Sequence, residues 1–165
     1  MKITIDRLPE SKWEEFKKIR LEALKNDARA FGSSYEEEIT RPEEMWRSRI
    51  KSGLFALDES GKPIGLMAFL IGDRVKTKHK AEIYSVYVKP EFRGTGVSKK
   101  LFTEALRLIK LNPDVCKVNL TVNPLQKAAV KLYETFGFKK TGTLHKELLI
   151  NGIFYDEDLM ELIFE

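Results

Sequence analysis

Between Val88 and Ser98 the chain reads Val88-Lys89-Pro90-Glu91-Phe92-Arg93-Gly94-Thr95-Gly96-Val97-Ser98, passing from a strand-like to a helix-like pattern through glycines. Residues of these types suit a diphosphate. Glycine lets the backbone bend sharply and lets a ligand approach the main chain. The N–H groups of a helix's first turn converge on an anion placed before it, and the helix dipole adds roughly half a positive charge there. Arg93 and the pair Lys99-Lys100 can add side-chain charge. Spacing alone leaves an anion site and an ordinary strand-to-helix loop equally open. It does exclude two other phosphate loops. No Gly-Lys-Ser/Thr ending follows, as a Walker loop requires, and no third glycine stands where the dinucleotide fingerprint needs it.

Other reactive side chains are sparse. Cys116 is the single cysteine, which rules out an intramolecular disulfide and a multi-cysteine metal site. It falls inside a strand-like pattern, where cysteine reads as a small buried hydrophobe. His79 and His145 are too few and too isolated for a metal centre.

The elements that must position the glycine turn follow from periodicity. A strand at 2–7 precedes a helix that opens on the capping-box pattern Ser11-Lys12-Trp13-Glu14 and runs to about Lys25, with Trp13, Phe16, Ile19 or Arg20, and Leu24 on one face. The stretch 27–39 reads as irregular. Thr40-Arg41-Pro42-Glu43 opens a short helix to about Lys51. Strands over 54–58 and 64–71 flank the turn Glu59-Ser60-Gly61-Lys62-Pro63, and 81–88 is a third strand of this group. A helix over 96–110, a buried strand over 115–122 and a helix over 124–136 follow, the last with Leu125, Ala129, Leu132 and Phe136 inward and Gly137 as its left-handed cap. The chain ends in a hairpin, 139–150 with 153–164, closed by Asn151-Gly152 in a type I′ turn.

The 165 residues fit one domain, 1–165, with one substantial core. At 42% hydrophobic and 33% charged residues the chain is globular rather than disordered. A net charge of +4 admits anionic partners. The 29 basic residues are dispersed among 25 acids, with no continuous basic face and no aromatic-basic interleaving, so no nucleic-acid partner is expected. The cluster Lys76-Thr77-Lys78-His79-Lys80 reads as a solvated loop between strands. No apolar run approaches the roughly 20 residues of a membrane span, and 1–7 alternates like a strand rather than a signal peptide. A cytoplasmic protein without membrane attachment is expected.

The glycine turn resembles the cofactor motif of the GNAT superfamily of N-acetyltransferases, Arg/Gln-x-x-Gly-x-Gly/Ala after a strand ending in Val and a Pro. Val88, Pro90, Arg93 and Gly96 match. Ser98 stands where the family has Gly or Ala, and serine is small enough to keep its amide facing a phosphate. The resemblance continues in Asn123 at the end of the next strand. Tyr133-Glu134-Thr135-Phe136-Gly137-Phe138 looks like the family's Tyr-Glu-x-x-Gly-Phe signature. Element order agrees over nearly the whole chain. The fold implied is α/β (α+β), with a mixed, mostly antiparallel sheet of about seven strands, about four flanking helices and a V-shaped splay between 81–88 and 115–122.

The resemblance implies acetyl-CoA as cosubstrate. Its pyrophosphate would meet Arg93, Gly94, Thr95, Gly96, Val97, Ser98 and Lys99. Its pantetheine arm would run beside the backbone of Val86, Tyr87 and Val88, where an N–H would polarise the thioester carbonyl, and Asn123 would hold that arm. Tyr133 would be the general acid that protonates the departing thiolate, and Glu82 the base for the incoming ammonium, through water. Read from periodicity alone, Tyr133 is a core aromatic, Asn123 a turn residue before Pro124, and Glu82 a strand-end charge facing solvent or pairing with Lys80. Tyr84 and Ser85 are weaker members of the same site. The acceptor would be bound by Phe31, Tyr35, Trp46, Tyr84 and Tyr155 with the acids Glu36, Glu37, Glu38, Asp156 and Glu157. These favour a small-molecule primary amine such as a polyamine, an amino compound or an antibiotic-like amine. A protein or peptide N-terminus as acceptor, and a non-catalytic CoA-binding module, stay open as alternatives, as does a homodimer through the terminal hairpin.

Overall fold

The alternation read from the sequence becomes seven strands: β1 (Thr4–Asp6), β2 (Gly53–Leu57), β3 (Pro63–Ile71), β4 (Lys80–Val88), β5 (Lys117–Val122), β6 (Lys139–Ile150) and β7 (Ile153–Ile163). The structure is a computed structural model that describes residues Met1–Phe164. The strands form one sheet in the order β1-β2-β3-β4-β5-β7-β6. The β1–β2, β2–β3, β5–β7 and β6–β7 pairs are antiparallel. β4 and β5 are parallel, in register from Lys80↔Lys117 to Glu82↔Asn119. Among the described residues no helix is long and apolar enough to cross a membrane.

Contacts divide the chain into two compact units, Met1–Phe69 with Ser85–Arg107, and Leu70–Tyr84 with the chain from Leu108 onward. In the first, α1 (Trp13–Asn26) buries Phe16, Ile19, Arg20, Ala23 and Leu24, so the predicted face is right. The predicted capping box at its start is not formed. A 3-10 turn over Glu10–Lys12 runs straight into α1, and Lys12 sits at the N-cap with no side-chain cap bond.

A capping box stands instead in the stretch read as irregular. Ser34 Oγ accepts the Glu37 N–H (3.2 Å) while Glu37 Oε2 accepts the Ser34 N–H (2.9 Å), opening α2 (Tyr35–Ile39). α3 (Glu43–Arg49) has Pro42 at its N-cap and so no side-chain cap; Thr40, the expected cap, instead ends α2, its hydroxyl donating to the Glu37 carbonyl. Phe16 meets Trp46 (5.5 Å) and Phe55 (5.8 Å) edge to face. Trp46 is 0% and Phe31 5% exposed. Both therefore belong to the core of this unit and not to an acceptor pocket: rings this apolar bury as soon as short helices cover them.

Gly65 matters for where the next helix sits. A Cβ there would lie 3.1 Å from the Tyr87 carbonyl oxygen and 3.3 Å from Val97 Cγ1. The bare backbone lets the end of β4 and the first turn of α4 (Val97–Lys110) close onto β3.

In the second unit Val118, Leu120, Val122, Tyr133, Phe138 and Met160 are buried. α5 (Lys127–Thr135) begins a turn later than predicted. Asn123 already organises a turn, its Oδ1 accepting the Leu125 N–H (2.9 Å) and its carbonyl the Gln126 N–H (2.9 Å). Leu125 is consequently 59% exposed, and Tyr133 is the residue α5 buries. Gly137 takes the predicted left-handed conformation (φ 92°), and Asn151 (φ 50°) with Gly152 (φ 78°) closes the hairpin as a type I′ turn requires. Cys116 precedes β5 and is exposed, so the expectation of a buried strand cysteine fails.

Candidate active site

In the first unit β4 ends at Val88, a 3-10 turn spans Pro90–Phe92, and Arg93 leads into the glycines. Gly94 (φ 76°) and Gly96 (φ 87°) both lie in the left-handed region. Beyond the adjacent residues of the chain, no atom stands within 4 Å of where a Cβ would be at either residue. The face of the turn is therefore open to a ligand's close approach. The Lys100 N–H bonds to the Gly96 carbonyl (3.1 Å). The amides of Val97, Ser98 and Lys99 thus belong to the first turn, whose donors have no acceptor within the helix. Val97 is buried, Ser98 half-buried and Lys99 exposed.

Arg93 does not aim its whole head at an anion. Its Nε donates to the Val88 carbonyl (2.9 Å) and its Nη2 to Asp27 Oδ2 (2.9 Å), while the guanidinium lies 5.7 Å from the Tyr87 ring centre. These contacts tie the turn to the end of β4 and of α1. Thr95 Oγ1 donates to the Phe92 carbonyl (2.6 Å) and closes the loop on itself.

Upstream on β4 the backbone leaves the strand conformation at Ser85, a non-glycine residue at φ 58°. Ala81 and Ile83 are buried alternately before Ser85 and the adjacent pair Tyr87 and Val88 is buried after it, so strict alternation is lost beyond this residue. The Tyr87 hydroxyl donates to Glu22 Oε1 (3.0 Å) and accepts from Asn26 Nδ2 (3.0 Å). Burial first, and then the Glu22 contact, push its pKa up to about 12 against the Asn26 bond, which lowers it.

The same unit holds a buried ionic cluster. Glu38 is 0% exposed and Arg20 4%. Arg20 forks onto Glu38, Nε to Oε2 (3.0 Å) and Nη2 to Oε1 (2.8 Å). Arg41 and Arg49 stand at 3.2 and 3.3 Å from the same carboxylate. Glu38 is therefore a structural anion and not part of an acidic acceptor rim. Glu37 serves the Ser34 capping box, whose backbone N–H holds its carboxyl below the usual range. Glu36 is exposed, and half-buried Tyr35 carries Lys25 Nζ over its ring at 4.3 Å.

In the second unit Glu82 is exposed on β4 and Tyr84 half-buried. Asn123 is 1% exposed, and its Nδ2 has no hydrogen-bond partner among the described residues. A buried donor in that state is costly unless something accepts from it. Tyr133 is 6% exposed with its ring 6.3 Å from that of Phe138. Burial raises its pKa, so it stays a phenol across the working range. Asp156 is engaged by the Lys146 N–H (2.8 Å) and His145 Nδ1 (3.1 Å). Half-buried Glu157 has its pKa raised, first by burial and further by the charge of Glu147, against a hydrogen bond from Thr121. Tyr155 is half-buried on the same strand.

Sequence reasoning missed Arg20, Glu22, Asn26, Asp27 and Gly65, all of which hold β4 or the turn. The one available signal was Arg20 within an apolar helical stripe.

The profile of the Acetyltransferase (GNAT) family matches residues 13–138, and the chain belongs to that family of acyltransferases. An uncharacterised N-acetyltransferase of Methanocaldococcus jannaschii is 30% identical over 94 residues, 56% of this chain and 41% of that protein. The chain spans about half the length of the first curated relatives it matches, 41% of one and 55% of another. Among solved structures, a GNAT-family acetyltransferase from Streptococcus pneumoniae superposes with a TM-score of 0.87 at 20% identity, covering 99% of this chain and 100% of that one. A phosphinothricin acetyltransferase from Sinorhizobium meliloti, solved in complex with acetyl-CoA, superposes with a TM-score of 0.82 at 20% identity, covering 99% and 89%.

Proposed function

We propose that residues 1–165 act as one catalytic domain that transfers the acetyl group of acetyl-CoA to the primary amine of a small molecule. The observation that carries this reading is the Gly94–Gly96 turn, left-handed at both glycines and open where their side chains would be, at the head of α4 in a chain of this family. The orphaned, buried Asn123 Nδ2 supports the same cosubstrate, since the pantetheine arm carries amide carbonyls that would accept from it.

Acetyl-CoA supplies the activated acyl group as a thioester. The first-turn amides of Val97, Ser98 and Lys99 hold its phosphates, and Arg93, pinned between Val88 and Asp27, fixes the turn that presents them. A backbone N–H within Val86–Val88 polarises the carbonyl under attack. Glu82 takes a proton from the incoming ammonium through water, and Tyr133 gives one to the sulfur that leaves. The acceptor is read as a small cationic amine, met by Tyr84, Tyr155 and the raised carboxyl of Glu157.

Two expected outcomes follow. Acetyl-CoA at about 100 times its Kd raises the melting temperature by about 5–10 °C, and CoA thiol is released with at least one member of a panel of polyamines, amino acids, aminoglycosides and peptides. A shift without release leaves a CoA-binding protein and removes transfer; no shift removes the cofactor as well. The second is Gly96→Ala. Alanine at φ 87° costs about 1 kcal/mol of stability, and its methyl group projects into the space the phosphates need, so CoA affinity measured by calorimetry falls about tenfold or more. An unchanged Kd would place the phosphates elsewhere.

A further inference from the structure

We propose that Arg20 is a positioning residue for the transfer, acting through Ser85 to hold the turn in β4 that aims the Val86–Val88 backbone; this rests on the acetyl-transfer reading above. Ser85 sits at φ 58°. That conformation is unfavourable for a residue with a Cβ and persists only where the surroundings over-determine it. Arg20 Nη1 donates to Ser85 Oγ at 2.8 Å. The donor cannot swing away, because Nε and Nη2 of the same planar head are both taken by Glu38. Phe31 closes the remaining side, its ring centre 4.5 Å from Arg20 Cζ.

The helix that carries Arg20 is itself anchored by Phe16, Ile19 and Ala23 in the core. It grips β4 a second time two residues on, where Glu22 and Asn26 hold the Tyr87 hydroxyl. Between and beyond those two points lie the amides of Val86, Tyr87 and Val88. A buried arginine is a poor choice for stability alone, since an apolar residue of similar volume usually does as well. Its fork supplies what an apolar residue cannot: a donor held in one direction, on a residue whose backbone is strained.

The test uses Ser85→Ala and Ser85→Gly in the full chain, assayed well below the melting temperature of each. Glycine relieves the strain at φ 58° and lacks the hydroxyl; alanine keeps the strain and lacks the hydroxyl. Under the proposal both lower kcat about tenfold or more and leave the Kd for CoA within about threefold. In both, the amides of Val86, Tyr87 and Val88 exchange with solvent about tenfold faster, read residue by residue by NMR. A purely conformational role for Ser85 predicts wild-type kcat and exchange in the glycine variant, and that result overturns the proposal. Unchanged exchange in both variants overturns it whatever the rates. If wild-type protein releases no CoA thiol with any amine, acetyl transfer falls and the exchange measurement alone decides whether Arg20 holds this segment.

Discussion

Glu38→Ala is expected to destabilise the protein by about 3–5 kcal/mol, a fall in melting temperature of about 10 °C or more for a chain of this size. The carboxylate is fully buried and faces Arg20, Arg41 and Arg49. Removing it strands the buried guanidinium of Arg20 without its fork, and the desolvation already incurred is no longer offset. Arg41 and Arg49 are less affected, since their side chains are 24% and 31% exposed and can turn to water. Arg49 Nη1 already lacks a hydrogen-bond partner among the described residues. Arg20→Met should cost nearly as much, and Arg20→Met with Glu38→Leu should recover most of the loss, because replacing a whole buried pair by apolar residues is often close to neutral. Urea unfolding of the wild type, Arg20→Met, Glu38→Leu and the double variant measures this. A coupling energy below about 1 kcal/mol in that cycle would mean the pair does not act as a unit.

The same site sets a pH dependence whose sign can be worked out. Burial pushes the Glu38 carboxyl up and is the largest single influence on it. The hydrogen bonds and charge of Arg20, with the charge of Arg41, outweigh it and hold the pKa below the usual carboxylate value. A carboxyl depressed in the folded state contributes its stability above its unfolded pKa and loses it as pH falls through the folded one. The stability gap between wild type and Glu38→Gln should therefore be constant near neutrality and narrow below about pH 4. A gap that widens toward acid would contradict the assignment.

Much of the fold was legible because it is local. Two-residue alternation placed the strands, Asn151-Gly152 placed the hairpin turn, and glycines before an amphipathic run placed the turn that leads into α4. What escaped was non-local or decided by competition. Arg20 and Glu38 are 18 residues apart, and nothing in the local pattern of either points to the other. Their pairing depends on two short helices folding over the sheet. Phe31 and Trp46 looked like pocket aromatics because the sequence does not say which apolar rings a short helix will cover. Ser11 and Glu14 have the capping-box spacing, yet Pro9 sets up a 3-10 turn that takes the helix start instead. Ser34 and Glu37 have the same spacing and do form the box. The left-handed Ser85 left no mark at all, since serine carries no sign of positive φ. The glycine turn could be read from sequence, and the contacts from α1 that hold it in place could not.

Tyr133→Phe is expected to lower kcat about a hundredfold or more while leaving the Kd for CoA within about threefold. The substitution removes one oxygen from a ring that is 6% exposed and packed against Phe138, so the shell that seats it is kept. Stability should change by no more than about 1.5 kcal/mol, and Tyr133→Ala is the wrong comparison because it would open a cavity costing several kcal/mol. Burial raises the Tyr133 pKa. A phenol raised in the folded state keeps its proton where a free tyrosine would lose it, near about pH 10, and its contribution to stability is lost only as pH climbs beyond that value. As a proton donor it therefore stays competent across the whole range in which the amine becomes a nucleophile. The wild-type kcat profile should show no alkaline limb from Tyr133 below about pH 10. Phenylalanine cannot supply the proton at any pH, so the variant's profile should run parallel to and below that of wild type over that range rather than converge with it. The measurement is thiol release against pH for both proteins on the best amine of the panel. Convergence at high pH, or wild-type rates at neutrality, would return Tyr133 to the hydrophobic core as a packing residue and leave proton delivery to water.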